Sequence, residues 1–180
     1  ILLGAKQRRM TSIVSNQITR EKKQQADDQY PLSYSGVPQW GERTHVLHIQ
    51  TITEMLLRQL VQKENNRYAL SKEQIRMITI ASALHDIGKI SIPDEILNKP
   101  GRLTAEEFAV IKGHSMAGAN MLSELPLDQK EEPLVKTAYE ICRWHHERYD
   151  GGGYPDGLKG EEIPVSAQVV ALADVYDALT

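Results

Sequence analysis

From about residue 42 to residue 180, apolar residues return at three- and four-residue steps and nowhere alternate for long. That period fixes the class of fold: α-helices packed on one another, with no sheet. Val46, Ile49, Ile52, Leu56 and Leu60 fall on one face of a first helix, and His45, four residues before Ile49, shares that inward face. Ser71 with Gln74 and Thr104 with Glu107 have the spacing of capping boxes, in which a hydroxyl and an amide or carboxylate satisfy each other's backbone N–H groups at a helix start. The first pair opens a helix carrying Ile75, Ile78 and Ser82 toward His85; the second opens one that runs to about His114. Further helix is expected over 116–122, over 132–146 and from Pro164 onward, so the expected class is an all-α bundle.

Composition narrows the chemistry. A length of 180 residues suits one domain with an attached segment. A net charge of -3 does not mark a binder of nucleic-acid polymers. Residues 1–25 are the exception, with six Lys or Arg against one Glu, and Ile13, Val14 and Ile18 at helical spacing. The turn-rich DDQYPLSYSGVPQWG after them reads as a linker, so residues 1–41 are expected to be a helical connector and 42–180 a domain. A single cysteine, Cys142, excludes a disulfide framework and a cysteine-rich zinc module, leaves nitrogen and oxygen as metal donors, and suits a reducing cytoplasm. Apolar runs such as ILL and VVALA are far too short to cross a bilayer. The chain begins at Ile and stops within a helical pattern, and is expected to be part of a longer polypeptide.

The six histidines are His45, His48, His85, His114, His145 and His146. All but His48 fall at the ends or inward faces of separate helices, where a bundle collects ligands from several elements. Singly, each has a structural account: a core imidazole for His45, a helix C-terminal partner for His114, one buried and one exposed ring for the adjacent pair. Together with Asp86 and Asp174 they make a set of buried imidazoles and carboxylates that a cation would compensate. Five imidazoles and two carboxylates are too many for one ion and suit two, with Asp86 able to bridge through its two oxygens. The N/O donor set favours iron or manganese over closed tetrahedral zinc. Lys89, one turn beyond Asp86, can reach the same pocket. In DGGGYPDGLKG, five glycines within 150–160 offer backbone N–H groups to anionic oxygens, and Tyr154 offers a flat surface for a base. Glu147 and Asp150 are expected to orient ligand rings or anchor this loop. Cys142 is expected in the core.

HDIGK at 85–89, HHERYDGGGYP at 145–155 and ALADVYDALT at 171–180 resemble, in order, the motifs of the HD-GYP family, a branch of the HD-domain metal-dependent phosphohydrolases. ILNKPGRLTAEEFAVIKGH, 96–114, resembles the section between them. The resemblance covers about 42–180 and implies a helical bundle whose last helices lie beyond this chain. It implies metal ligation by His45, His85, Asp86, His114, His145, His146 and Asp174, with Asp86 bridging and central to catalysis. Lys89 is implied as the lysine that contacts substrate phosphate, and Gly153, Tyr154 and Pro155 as part of the substrate-binding wall and a docking point for GGDEF-domain proteins. The implied activity is hydrolysis of cyclic di-GMP to linear pGpG, to GMP, or to both, under an upstream sensor or receiver domain and with dimer contacts through the connector. A non-hydrolytic binding module and a hydrolase of another phosphate ester are the competing readings. The chain departs from relatives with a third metal: the position four residues before His45 is Gly41, with Glu42 one place later, so two ions are expected. His48 stands where relatives often carry arginine.

Overall fold

The computed structural model describes residues 40–63 and 67–179, with side chains from Thr44 onward. The chain divides between Thr44 and His45 into two units, and the core and the histidine cluster both lie within the second. The expected connector lies outside the described residues except for the backbone of residues 40 and 41, which is already helical; the side chain of Glu42 is also outside them. The helices are α1 Trp40–Gln62, α2 Lys72–Ser82, α3 Asp94–Leu97, α4 Ala105–Lys112, α5 His114–Ser123, α6 Leu127–Lys130, α7 Pro133–Trp144 and α8 Val165–Leu179. Short 3-10 turns occupy Ile87–Ser91 and Gly160–Glu162, and no strand occurs among the described residues.

Both capping boxes form. Ser71 Oγ accepts from Gln74 N while the Gln74 side chain accepts from Ser71 N, and Thr104 and Glu107 do the same at α4. Lys99 braces the second box by donating to the Glu107 carboxylate at 2.7 Å. Pro133 opens α7, where its missing N–H costs nothing because first-turn N–H groups have no intrahelical partner.

Two expectations shift. The buried line of α1 is Ile49, Thr53 and Leu57, while Ile52, Leu56 and Leu60 lie at its margin. A step of four keeps nearly in phase with a 3.6-residue turn, and the polar Thr53 hides that line from a search for apolar residues. The helices expected over 104–114 and 116–122 form as α4 and α5, with the boundary between them slightly earlier, at Gly113, whose own conformation is helical (φ −63°, ψ −15°).

The core is closed by Ile49 and Leu57 of α1, Leu122 of α5, Ile141 of α7 and Val170 of α8, all essentially inaccessible to solvent. The helix pairs α2 and α7, α5 and α7, and α7 and α8 pack together, and the first 3-10 turn lies on α5. That last contact is backbone on backbone: a Cβ at Gly88 would stand 1.9 Å from His114 O and 2.5 Å from Gly118 N. Only glycine permits the approach, and it sets Asp86 beside the first turn of α5.

Candidate metal centre

Three helices end in the same way. The carbonyls of a last helical turn have no intrahelical donor. His85, three residues past Ser82, turns its Nδ1 onto Ser82 O at 2.9 Å. His114 turns Nδ1 onto Ile111 O at 2.7 Å, and His145 turns Nδ1 onto Ile141 O at 2.9 Å and Cys142 O at 3.1 Å. A carbonyl only accepts, so in each ring Nδ1 carries the hydrogen and Nε2 is the bare lone pair. His45 reaches the same state differently, donating Nδ1–H to Asp177 Oδ2 at 2.6 Å.

The bare nitrogens face one another. His114 Nε2 and His145 Nε2 are 3.4 Å apart, as are His45 Nε2 and His85 Nε2. Two lone pairs at that distance repel unless a positive charge lies between them. Burial, followed by the neighbouring His146, holds His145 well below the usual imidazole range, and burial, followed by His114, takes His146 down to about 4. Both are therefore neutral donors near pH 7. Burial works against a charge on His85 as well, but Asp86 and then Asp174 outweigh it and raise that ring. Burial would raise Asp86 too, yet the rings of His114 and then His85, which donate to it from Nε2 when a second proton rather than a cation takes that lone pair, hold its carboxyl far below the usual range.

The donor atoms form two groups: Asp86, His114, His145 and His146 in one, His45, His85 and Asp174 in the other, each with its atoms within 4.8 Å of one another. Asp86 joins them. Its Oδ2 lies 3.2 Å from His85 Nε2, and its Oδ1 lies 3.3 Å from His114 Nε2 and 4.0 Å from His145 Nε2. Asp174 Oδ1 is 3.7 Å from His45 Nε2 and 3.8 Å from His85 Nε2. The set of imidazole nitrogens and carboxylate oxygens, with opposed lone pairs, fits two divalent cations and contains no thiolate. Cys142 is buried with Sγ donating to Leu84 O at 3.0 Å, and burial pushes its thiol up, so it stays a protonated core residue.

Lys89 donates to Asp86 Oδ2 at 2.6 Å, with its ammonium partly open to solvent. Tyr154 stacks on His146, ring centres 4.8 Å apart and planes 28° from parallel. The loop departs from expectation in its backbone. Gly152 N donates to Asp150 Oδ1, Asp156 N and Gly157 N donate to Glu147 Oε1, and Tyr154 N donates to His146 O. These N–H groups are satisfied locally rather than offered to an anion, because the carboxylates of Glu147 and Asp150 and the carbonyl of His146 take them. Glu147 and Asp150 thus take the second of their two expected roles and anchor the loop. Gly153 packs on the backbone beneath it, where a Cβ would lie 2.3 Å from Arg148 N. Asp156 fastens the far side, accepting from Arg143 Nε and Trp144 Nε1, both at 2.7 Å.

Sequence reasoning missed Asp177. It accepts from Nδ1 of His45 and, at 2.8 Å, from Nδ1 of His48, and the hydrogen bond from His45 is the main force holding its carboxyl below the usual range. The signal was present in DVYD: a second acid three residues after Asp174 lies on the same helical face.

Comparison with known proteins agrees with this geometry. A family model described as HD domain matches residues 10–180. The chain is 44% identical over 141 residues to a probable cyclic di-GMP phosphodiesterase of Vibrio cholerae serotype O1, covering 75% of this chain and 31% of that protein. It is 50% identical over 110 residues to the cyclic di-GMP phosphodiesterase response regulator RpfG of Xanthomonas campestris pv. campestris, covering 61% and 28%. To the 3'3'-cGAMP-specific phosphodiesterase 2 of Vibrio cholerae serotype O1 it is 45% identical over 112 residues, covering 62% and 20%. The chain spans less than a third of the length of each of these relatives.

Proposed function

The chain belongs to the HD domain family, in its HD-GYP branch, and on that premise we propose that it is a metal-dependent phosphodiesterase that hydrolyses cyclic di-GMP to linear pGpG, to GMP, or to both. The observation that carries the reading is the placement of Asp86, with one carboxylate oxygen turned to each of two histidine groups. His45, His85 and Asp174 would hold one ion and His114, His145 and His146 the other, with Asp86 shared; iron or manganese suits this donor set. Bound there, divalent ions supply an activated water near neutral pH and offset charge on the phosphoryl oxygens.

The chain's own residues supply the rest. Lys89 keeps an ammonium within hydrogen-bonding distance of Asp86, where it can follow a substrate phosphate and stabilise charge developing on its oxygens. The buried hydrogen bonds of His85, His114 and His145 fix the rings before substrate arrives, so no reorganisation is needed during reaction. Of the GYP triplet, Gly153 shapes the loop, while Tyr154, with Pro155 after it, forms a wall against His146 for the substrate.

We place the domain at 42–180 and the connector at 1–41, leading to an upstream sensor or receiver domain and to dimer contacts in the cytoplasm. The basic composition of residues 1–25 and the response-regulator name of the Xanthomonas relative support this. Docking of GGDEF-domain proteins on the GYP loop belongs to the same proposal. No helix among the described residues is long and apolar enough to cross a membrane.

The decisive experiment pairs metal analysis of anaerobically purified protein with identification of products from cyclic di-GMP and 3'3'-cGAMP. Asp86→Ala should lose turnover together with metal. A variant that kept the wild-type rate and full metal content would remove Asp86 from the centre, and binding without product would favour a non-hydrolytic module.

A further inference from the structure

Lys112 is the last residue of α4, two positions before His114. Its ammonium lies 5.4 Å from the ring centre of Phe108, one turn earlier on the helix, and 5.7 Å from that of Tyr154 across the loop. Tyr154 is in turn stacked on the metal-group imidazole of His146. Other lysines near the site are differently placed: Lys89 is paired with Asp86 and Lys99 with Glu107. Among the described residues Lys112 has no carboxylate partner; two aromatic faces hold it instead. Phe108, 49% exposed, leaves ring surface open beside it.

An ammonium offers three donors and no acceptor. Beside aromatic surface on which a nucleobase can stack, it selects for a base edge bearing only acceptors. Guanine presents N7 and O6 side by side on that edge; adenine presents N7 next to an amino donor that the ammonium opposes. We propose that Phe108, Lys112 and Tyr154 form a guanine subsite at the rim of the metal centre and that Lys112 is its specificity-determining residue. The inference rests on the phosphodiesterase reading and deepens it, choosing among cyclic dinucleotides.

A single discriminating subsite has a distinctive consequence. A cyclic dinucleotide with one guanine and one adenine can dock in two orientations, and each presents a different phosphodiester to the metals. If Lys112 takes the guanine, one orientation dominates and 3'3'-cGAMP opens mainly to one of its two linear products. Cyclic di-AMP has no guanine for the subsite and is cleaved poorly.

The test compares manganese-loaded wild type with Lys112→Met, which keeps length and packing but removes the donors. The ratio of kcat/KM for cyclic di-GMP over cyclic di-AMP should fall about tenfold in the variant. The linear products of 3'3'-cGAMP, resolved by mass spectrometry, should move from one dominant isomer toward equal amounts. Metal content should be unchanged. An unaltered ratio overturns the subsite, and so does an equal loss on all three dinucleotides, which would mark a phosphate contact. Should wild type cleave none of them, the phosphodiesterase reading fails, and equilibrium dialysis with the same ligands decides the subsite. Tighter guanine binding that disappears in Lys112→Met keeps it; equal binding in the two proteins, or none, removes it.

Discussion

At the scale of single residues, the histidines do two jobs with one geometry. His85, His114 and His145 each cap a helix end through Nδ1, and the same bond turns the bare Nε2 toward the other donors. The structural account and the ligand account of such a histidine are therefore not alternatives, which is why neither could be preferred from sequence one residue at a time. His45 sits within a helix, where every carbonyl around it is already bonded, and its Nδ1 needs an acceptor from elsewhere. Asp177 provides it. Asp177→Ala should free the His45 ring to rotate and to take the other tautomer, weakening metal binding in the group of His45, His85 and Asp174 by about 10- to 100-fold. Metal titration followed by elemental analysis should then show one tightly held equivalent where wild type holds two. Two tight equivalents in the variant would show that His45 is positioned without Asp177. His48 shares the same carboxylate, so His48→Ala is the control for loss of a hydrogen bond to Asp177 without loss of the one from His45.

At the scale of elements, the first 3-10 turn is held on α5 by an approach that only glycine allows. In Gly88→Ala the new methyl group meets backbone atoms of His114 and Gly118, and backbone cannot move aside as a flexible side chain can. The turn must lift, carrying Asp86 away from His114. The expected cost is about 1–3 kcal/mol of stability, read as a lower midpoint in denaturant, with weaker metal binding as the second sign. A midpoint and metal affinity equal to wild type would show that the turn tolerates displacement. The elements themselves were largely legible in sequence, because capping boxes and apolar periodicity act locally: Ser71 with Gln74 and Thr104 with Glu107 mark their helix starts. The boundary between α4 and α5 was less sharply legible, since Gly113 keeps helical dihedrals there. The loop was half legible. Its glycines announced unusual backbone, but the claim of Glu147 on the N–H groups of Asp156 and Gly157 depends on nine- and ten-residue separations that no local pattern encodes.

At the scale of the whole molecule, the donors come from α1, from the turn after α2, from the start of α5, from the end of α7 and from α8, spanning residues 45 to 174. Sequence named these residues through motif order and could not pair them, because the division into two groups sharing Asp86 exists only once the helices have packed. An unfolded chain holds no such arrangement, so ions that bind here bind the folded state and stabilise it. Without them, two pairs of Nε2 lone pairs stand 3.4 Å apart, a repulsion that folding must carry. At free metal near a hundredfold its dissociation constant, one ion contributes about 2.7 kcal/mol. For a chain of this length that corresponds to roughly 5–10 °C in Tm. Chelation should therefore lower the melting temperature by at least that amount, reversibly, with manganese or reduced iron restoring it. Asp86→Ala, lacking the shared carboxylate, should melt at nearly the same temperature with and without chelator. A wild-type Tm indifferent to chelator, in protein shown by elemental analysis to lose its metal, would mean that the imidazoles and acids are held in place by packing alone and that the cluster owes nothing to cations.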